Sequence, residues 1–292
     1  MFELFKQLSA KKKSVIMNND TNDQTKVNIP GKSLTRTRFR LAYCQSSGKE
    51  RAHNEDAIFV FLSVLLGVES PRSFGIYLVA DGMGGHQSGE VASRLAAQAA
   101  SQYLVDKISC ATIFEKKLIP EEMLFGFLRE AVNEAQNLIR EQVPGGGTTL
   151  TLAMNLANKF YTAHVGDSRL YVINNNSEVI LRTKDHTLVQ RLVDLGQITE
   201  QEARTHLQRN VLYCALGQID PFEPDLDKFQ LNVGERMMIC SDGLWGVVND
   251  EQTQAILGRF PSLDQTACEL VKAANELGGP DNISVVLVER IV

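Results

Sequence analysis

Four aspartates of this chain stand where an apolar run meets a polar break. Asp81 closes "YLVAD" and is followed by Gly-Met-Gly-Gly-His, and Asp242 follows "MMICS". Asp167 follows "YTAHVG", and Asp281 comes just before "NISVVLV". Asp-Gly alone reads as a hairpin turn. After Asp81, however, the chain turns helical, and the same device returns at Asp242. Where strands run antiparallel, the end of one and the start of its neighbour share an edge. Four carboxylates would then gather at one rim.

Gathered carboxylates repel, so either their pKa values rise or cations bind between them. The donors here are all oxygen, which suits hard octahedral ions, Mg²⁺ or Mn²⁺. Gly82, with no side chain, would let a backbone carbonyl reach such an ion. The spacing is not that of an EF-hand loop. Two ions of this kind activate water and clamp the attacking and departing oxygens of an in-line displacement, which fits phosphoryl transfer to water. "KERAHNEDAIFV" offers a phosphate partner in Arg51, whose guanidinium can make two parallel hydrogen bonds to a phosphate. Glu55 and Asp56 would hold metal waters or orient the arginine. The competing reading of this segment is a surface salt-bridge cluster.

The elements that must position these groups are mostly strands. "FRLAYCQS", "AIFVFLSV", "FGIYLVA", "TTLTLAMNL", "FYTAHVG", "RLYVI", "EVILR", "DKFQLN", "RMMICS" and "ISVVLVE" are strand-like, many of them bounded by Gly, Asn or Asp. Val91, Leu95, Ala99 and Tyr103 recur every fourth residue and predict a helix over 88–106. A second is predicted over 121–141, and shorter ones near 186–195, 250–258 and 262–277. Strands come in consecutive groups, and two long helices follow each other without an intervening strand. Strict β-α alternation is absent, which favours an α+β fold of antiparallel sheets with helices on their outer faces.

Of the 292 residues, 43% are hydrophobic and 22% charged, the composition of an ordinary globular chain. Residues 1–37 are polar and aperiodic and read as a flexible basic tail, with one domain over 38–292. The net charge is −5, yet residues 1–40 hold nine Lys or Arg against three acids. The body is therefore strongly acidic, which argues against nucleic acid as a partner. No apolar run is long enough for a membrane span, and no secretory signal pattern is visible. Five scattered cysteines, without C-x-x-C, read as reduced thiols of a cytoplasmic protein.

Taken together, the segments resemble the metal-dependent Ser/Thr protein phosphatases of the PPM (type 2C) family, bacterial branch. The resemblance covers about residues 39–292. It rests on R-x-x-N-E-D (Arg51, Asn54, Glu55, Asp56), D-G-M-G-G-H (Asp81 to His86), G-T-T (Gly147 to Thr149), H-V-G-D-S-R (His164 to Arg169), S-D-G-L-W (Ser241 to Trp245) and D-N-I-S (Asp281 to Ser284). It implies two antiparallel sheets packed face to face between helices, a four-layer αββα sandwich. It implies two tightly bound Mn²⁺ or Mg²⁺ ions: Asp81 bridging both, the Gly82 carbonyl on one, Asp242 and Asp281 completing the second. Asp167 would hold a third, weaker ion, Arg51 the substrate phosphate, and Glu55, Asp56 and Asn282 would act from behind these groups. A metal-bridging hydroxide would attack phosphoserine or phosphothreonine. Partners would be phosphorylated proteins, Ser/Thr kinases or their substrates, met by a monomer.

Two positions depart from animal members of the family. Met83 stands where they carry a histidine proposed as general acid, and Gly246 where they carry another acidic ligand. His86 lies three residues beyond Met83. Residues 185–210 resemble the family's flap, with Leu188, Leu192 and Leu195 as an apolar face and Arg191, Arg204, His206 and Arg209 as basic points. His164 reads as a packed strand residue and not a ligand. The rival readings are a catalytically silent phosphatase-like scaffold or phosphoprotein-binding module, marked by loss of a bridging aspartate, and a phosphatase for small esters.

Overall fold

The computed structural model describes residues 39–65, 72–84, 87–109, 119–218, 222–260 and 262–291. The tail expected over 1–37 and the residue His86 lie outside the described residues.

Among the described residues, eleven strands form two antiparallel sheets. The first contains β1 (Phe39–Ser46), β11 (Ile283–Arg290), β10 (Arg236–Cys240), β7 (Arg169–Ile173) and β8 (Val179–Leu181), in that spatial order. The second runs β2 (Asp56–Leu65), β3 (Arg72–Met83), β5 (Leu150–Leu156), β6 (Lys159–Val165) and β9 (Asp225–Gln230), with the short β4 (Gly147–Thr148) paired to the end of β3. Two long helices, α1 (Gln87–Ser109) and α2 (Glu121–Gln142), cover the outer face of the second sheet. Between β8 and β9 lie α3 (Leu188–Asp194) and α4 (Glu200–Thr205). The first sheet is covered by the one-turn α5 (Asp242–Trp245), α6 (Asp250–Arg259) and α7 (Leu263–Glu276). The α+β sandwich expected from element order is thus the observed fold. The one-turn α5 and the short α4 are elements that periodicity did not announce, being too short to show a repeat.

Period-two alternation sorts each strand's side chains between the layers. Along β3, Phe74, Ile76, Leu78 and Ala80 pack under α1 and α2, while Tyr77 and Val79 face the other sheet. The layer between the sheets is completed by Ala153, Phe160, Leu170, Met237, Ile239, Val286 and Val288. Phe160 is its aromatic centre: it stacks on Phe229 at 5.2 Å between centroids and meets Phe39 edge-on at 5.5 Å. Both contacts use preferred aromatic geometries.

Helix boundaries follow capping chemistry. Thr199 and Glu202 form a reciprocal capping box at α4, and Asn249 and Gln252 form one at α6. Among the described residues no helix is long and apolar enough to cross a membrane.

Phe160→Ala empties the middle of the layer that holds the two sheets together. It is expected to cost about 3–5 kcal/mol, read as a lower urea midpoint at unchanged slope.

Candidate active site

The same alternation brings the acidic residues to one rim. Asp81 extends the inner row of β3 beyond Tyr77 and Val79, and the β2–β3 register sets Asp56 directly opposite it. Far from turning after Asp81, β3 continues through Met83, with Gly82 paired to Thr148. From the other sheet, the inner row of β10 (Met237, Ile239) ends at Ser241, and that of β11 (Val286, Val288) begins at Ser284. Both serines reach across to Asp56, whose Oδ2 accepts Ser241 Oγ at 2.8 Å and Ser284 Oγ at 2.6 Å. Asp56 is thus a buried carboxylate clasped between the sheets.

Asp242 opens α5, and Asp281 stands two residues before β11. They are neighbours because Gly243 lies against the backbone of Asn282: a Cβ at Gly243 would come 2.0 Å from the Asn282 carbonyl oxygen. Gly82 has a similar reason for lacking a side chain. A Cβ there would meet the Gly89 carbonyl of α1 at 2.2 Å and the Glu55 carbonyl at 2.7 Å. The close passage of α1 over the end of β3 requires glycine, independently of any ion.

Neutral side chains hold the aspartate backbones. The Asp81 carbonyl accepts Thr148 Oγ1 at 2.8 Å and the Thr149 N–H at 2.9 Å, and the Asp81 N–H donates to Thr149 Oγ1 at 2.9 Å. Thr149 Oγ1 also pairs with Ser168 Oγ at 2.8 Å, beside Asp167. Trp245 Nε1 donates to the Asp167 carbonyl at 3.0 Å. Arg169 lies 3.6 Å from the Trp245 ring centroid and makes two hydrogen bonds to Asp185, at 3.0 and 2.7 Å. Asp167 is thereby linked to the start of the flap.

Arg51 sits on the loop after β1, more than half exposed, with Nη2 donating to Asp281 Oδ2 at 2.8 Å. The carboxylate bonded to it is that of Asp281, while Asp56 is turned between the sheets. Asn282 holds the Arg51 loop: its Nδ2 donates to the Ser47 and His53 carbonyls at 3.0 and 2.9 Å, and its Oδ1 accepts the Glu55 N–H at 2.7 Å.

The electrostatics record the crowding. Burial pushes the Asp81 carboxyl well above the usual carboxylate range, and the charges of Asp56, Asp242, Asp167 and Asp281 push it further. Burial raises Asp56 to about 7 despite its two serine donors, with Asp242 and Asp281 adding to the rise. Asp242 is raised to about 6, again chiefly by burial and next by Asp281, while a hydrogen bond with Asp81 pulls it down. Asp167 is held well above its ordinary value by burial and by Asp242. All four aspartates singled out in the sequence, with Asp56, therefore lie in one electrostatic neighbourhood.

Among the described residues no three His, Cys, Asp or Glu side chains already close around one point as an ion would require. The donor set nevertheless fits hard divalent cations. The residues are all oxygen donors, and among the described residues Asp242 Oδ1 and Asp56 Oδ1 are buried without a hydrogen-bond partner. Such orphaned acceptors are costly unless something supplies positive charge.

A family model described as protein phosphatase 2C matches residues 46–277. The chain belongs to the protein phosphatase 2C family. A putative protein phosphatase 2C-type of Streptococcus pyogenes is 34% identical over 244 residues, covering 83% of this chain and 94% of its own. The crystal structure of the Mycobacterium tuberculosis serine/threonine phosphatase PstP/Ppp superposes with a TM-score of 0.73 at 34% identity, covering 87% of this chain and 99% of that one. A catalytic domain of PstP in complex with two manganese ions gives a TM-score of 0.70 at 32% identity, covering 87% and 99%.

In this phosphatase 2C domain, sequence reasoning missed the parts played by Ser241, Ser284, Thr148 and Thr149. A signal for the serines existed: each falls in an otherwise apolar inner row, where a polar group needs a buried partner. The flap differs from its expected pattern. Val189 is the residue α3 buries, Leu188 and Leu192 are half-buried, and Leu195 is 64% exposed. The helix stops after seven residues and Gly196 turns with φ +67°, so no long apolar stripe develops. His164 is buried, hydrogen-bonded to Thr151 Oγ1 and the Lys184 carbonyl, as a packed strand residue would be.

The carboxyl shifts fix a pH dependence for the metal-free protein. Asp56 and Asp242 have folded pKa values of about 7 and 6, above the ordinary 3.8. The folded state therefore binds their protons more tightly, and stability present at pH 4 is lost as pH rises through 6 to 7. In EDTA, the urea midpoint is expected to fall between pH 5 and 8. Asp56→Asn, which keeps the shape without the charge, should flatten that fall.

Proposed function

We propose that this protein is a metal-dependent phosphoprotein phosphatase that hydrolyses phosphoserine and phosphothreonine monoesters. The observation that carries the reading is the crowding of Asp56, Asp167, Asp242 and Asp281 around Asp81, with the Arg51 guanidinium beside Asp281. Family membership and the named serine/threonine phosphatases among its relatives support it.

Asp81, the Gly82 carbonyl, Asp242 and Asp281 are the residues that would hold two Mn²⁺ or Mg²⁺ ions, and Asp167 a third. When bound, such ions supply an activated water and stabilise charge on phosphoryl oxygens. The protein's own part is placement. Asp281 aims the Arg51 guanidinium, whose planar fork can take two phosphoryl oxygens. Asn282 fixes the loop that carries it. Glu55, one residue before Asp56, adds a negative charge that favours the charged guanidinium. Met83 has no proton to give to the departing seryl or threonyl oxygen. In the flap, Arg191, Arg204 and Arg209 are exposed, and Leu195 and Leu207 present apolar surface. This mixture suits a phosphorylated polypeptide better than a small ester.

The test is phosphate release from a phosphothreonine peptide. Activity is expected with Mn²⁺ and none in EDTA. Absence of turnover in millimolar Mn²⁺ would instead mark a silent phosphatase-like scaffold. Asp81→Asn is expected to lower kcat by orders of magnitude while the protein stays folded by circular dichroism.

Arg51 is expected to act mainly on substrate binding. Arg51→Ala removes a charge-assisted hydrogen bond of about 1.5–3 kcal/mol, which corresponds to about a tenfold to hundredfold rise in KM. Arg51→Lys should recover only part of this, since an ammonium cannot make the paired contact.

A further inference from the structure

The backbone around Asp167 is held from several directions. Trp245 Nε1 donates to the Asp167 carbonyl. On the C-terminal side, the Ser168 carbonyl accepts Thr151 Oγ1 at 2.8 Å, and Ser168 Oγ pairs with Thr149. On the N-terminal side stands Gly166, with φ +107°, where a Cβ would come 2.5 Å from Thr149 Cγ2. A glycine next to a functional carboxylate leaves the chain free to swivel unless something else holds it.

His186, between β8 and β9, holds both polar groups of Gly166. Its backbone N–H donates to the Gly166 carbonyl at 2.8 Å, and its ring Nδ1 accepts the Gly166 N–H at 3.2 Å. The ring is buried, with the His164 ring at 5.0 Å and the Tyr213 ring at 5.5 Å between centroids. Its Nε2 lies 3.3 Å from Asp225 Oδ2, at the start of β9. A carboxylate there selects the tautomer with its proton on Nε2, which leaves the Nδ1 lone pair for Gly166. Burial disfavours a charged ring, while hydrogen bonds with Asp225 and Cys214 favour one and raise it to about 9. A proton on Nδ1 would point at the Gly166 N–H, however, so this backbone admits the neutral ring.

We infer that His186 is a positioning residue for Asp167: by clasping Gly166 at its N–H and its carbonyl, it fixes the direction in which the next carboxylate leaves the chain. The inference rests on the reading of Asp167 as an ion ligand. It also gives the flap a second tie to that ligand. The His186 carbonyl accepts the Tyr213 N–H at 2.9 Å, and the Leu188 N–H donates to the Val211 carbonyl at 2.8 Å, so the two ends of the flap meet at the residue that holds Gly166. Asp185 acts on one side of Asp167 through Arg169 and Trp245, and His186 on the other through Gly166.

The test has two arms, both on the whole chain without substrate. In the metal-free protein at neutral pH, nitrogen NMR is expected to show His186 with its proton on Nε2 and none on Nδ1, and a Gly166 amide slow to exchange. A proton on Nδ1 would overturn the inference. The second arm titrates Mn²⁺ by calorimetry and compares two variants. In His186→Asn the amide oxygen replaces Nδ1 as acceptor; in His186→Gln the amide nitrogen replaces Nε2 and the acceptor is lost. His186→Gln is expected to weaken the loosest Mn²⁺ step by about 10–100-fold, the usual cost of losing a group that orients a metal ligand. His186→Asn should stay close to wild type, and the tighter steps should be unchanged in both. Asp167→Asn identifies the step. If the loosest step is absent from the wild type or survives Asp167→Asn, the ligand reading falls and the inference with it. If that step is lost in Asp167→Asn but equal in wild type and His186→Gln, the inference alone falls. The NMR arm decides on its own if a variant folds poorly.

Discussion

Five carboxylates brought into one electrostatic neighbourhood repel one another, and burial makes the repulsion stronger. Every other feature of the rim answers to that constraint. Nothing about the carboxylates themselves draws them together, so the sandwich must hold them by their backbones. For Asp81 and Asp56 it does so by making them the terminal members of rows anchored in the core. Asp81 continues the row of Tyr77 and Val79, and Asp56 lies across the register from it. The apolar layer around Phe160 fixes where the two sheets end relative to each other.

A shell of neutral hydrogen-bonding groups then refines the positions. Thr148 and Thr149 grip the Asp81 backbone, Ser241 and Ser284 take one oxygen of Asp56, and Asn282 secures the Arg51 loop. Neutral donors orient carboxylates without cancelling their charge. The negative potential is therefore kept for whatever binds at the rim, and the unpartnered Oδ1 atoms of Asp56 and Asp242 point the same way. Close backbone approach completes the frame: Gly82 against Gly89 and Gly243 against Asn282 leave no space for a side chain.

The flap is joined to this centre by a continuous path. Asp185, where it begins, holds Arg169 by two hydrogen bonds; Arg169 stacks on Trp245; and the Trp245 indole N–H binds the Asp167 carbonyl. Arg169 is charged, partly buried, set over the Trp245 ring and forked onto Asp185, a combination that depends on geometry and that lysine would not reproduce. The first residue of the flap is therefore fixed beside Asp167.

The sequence by itself determined the strands, the long helices, the sandwich class and the four aspartates. These rest on local signals: alternation of period two, recurrence every fourth residue, and a carboxylate at the end of an apolar run. Only the tertiary structure decided what those residues touch. Arg51 finds its carboxylate in Asp281, 230 positions away, and Asp56 its donors in Ser241 and Ser284, 185 and 228 positions away. Gly82 owes its identity to a helix crossing the strand. Local periodicity dictates which face a side chain takes. Which partner waits on that face depends on how two sheets and their covering helices come to rest on a shared core, and that packing is set by the chain as a whole.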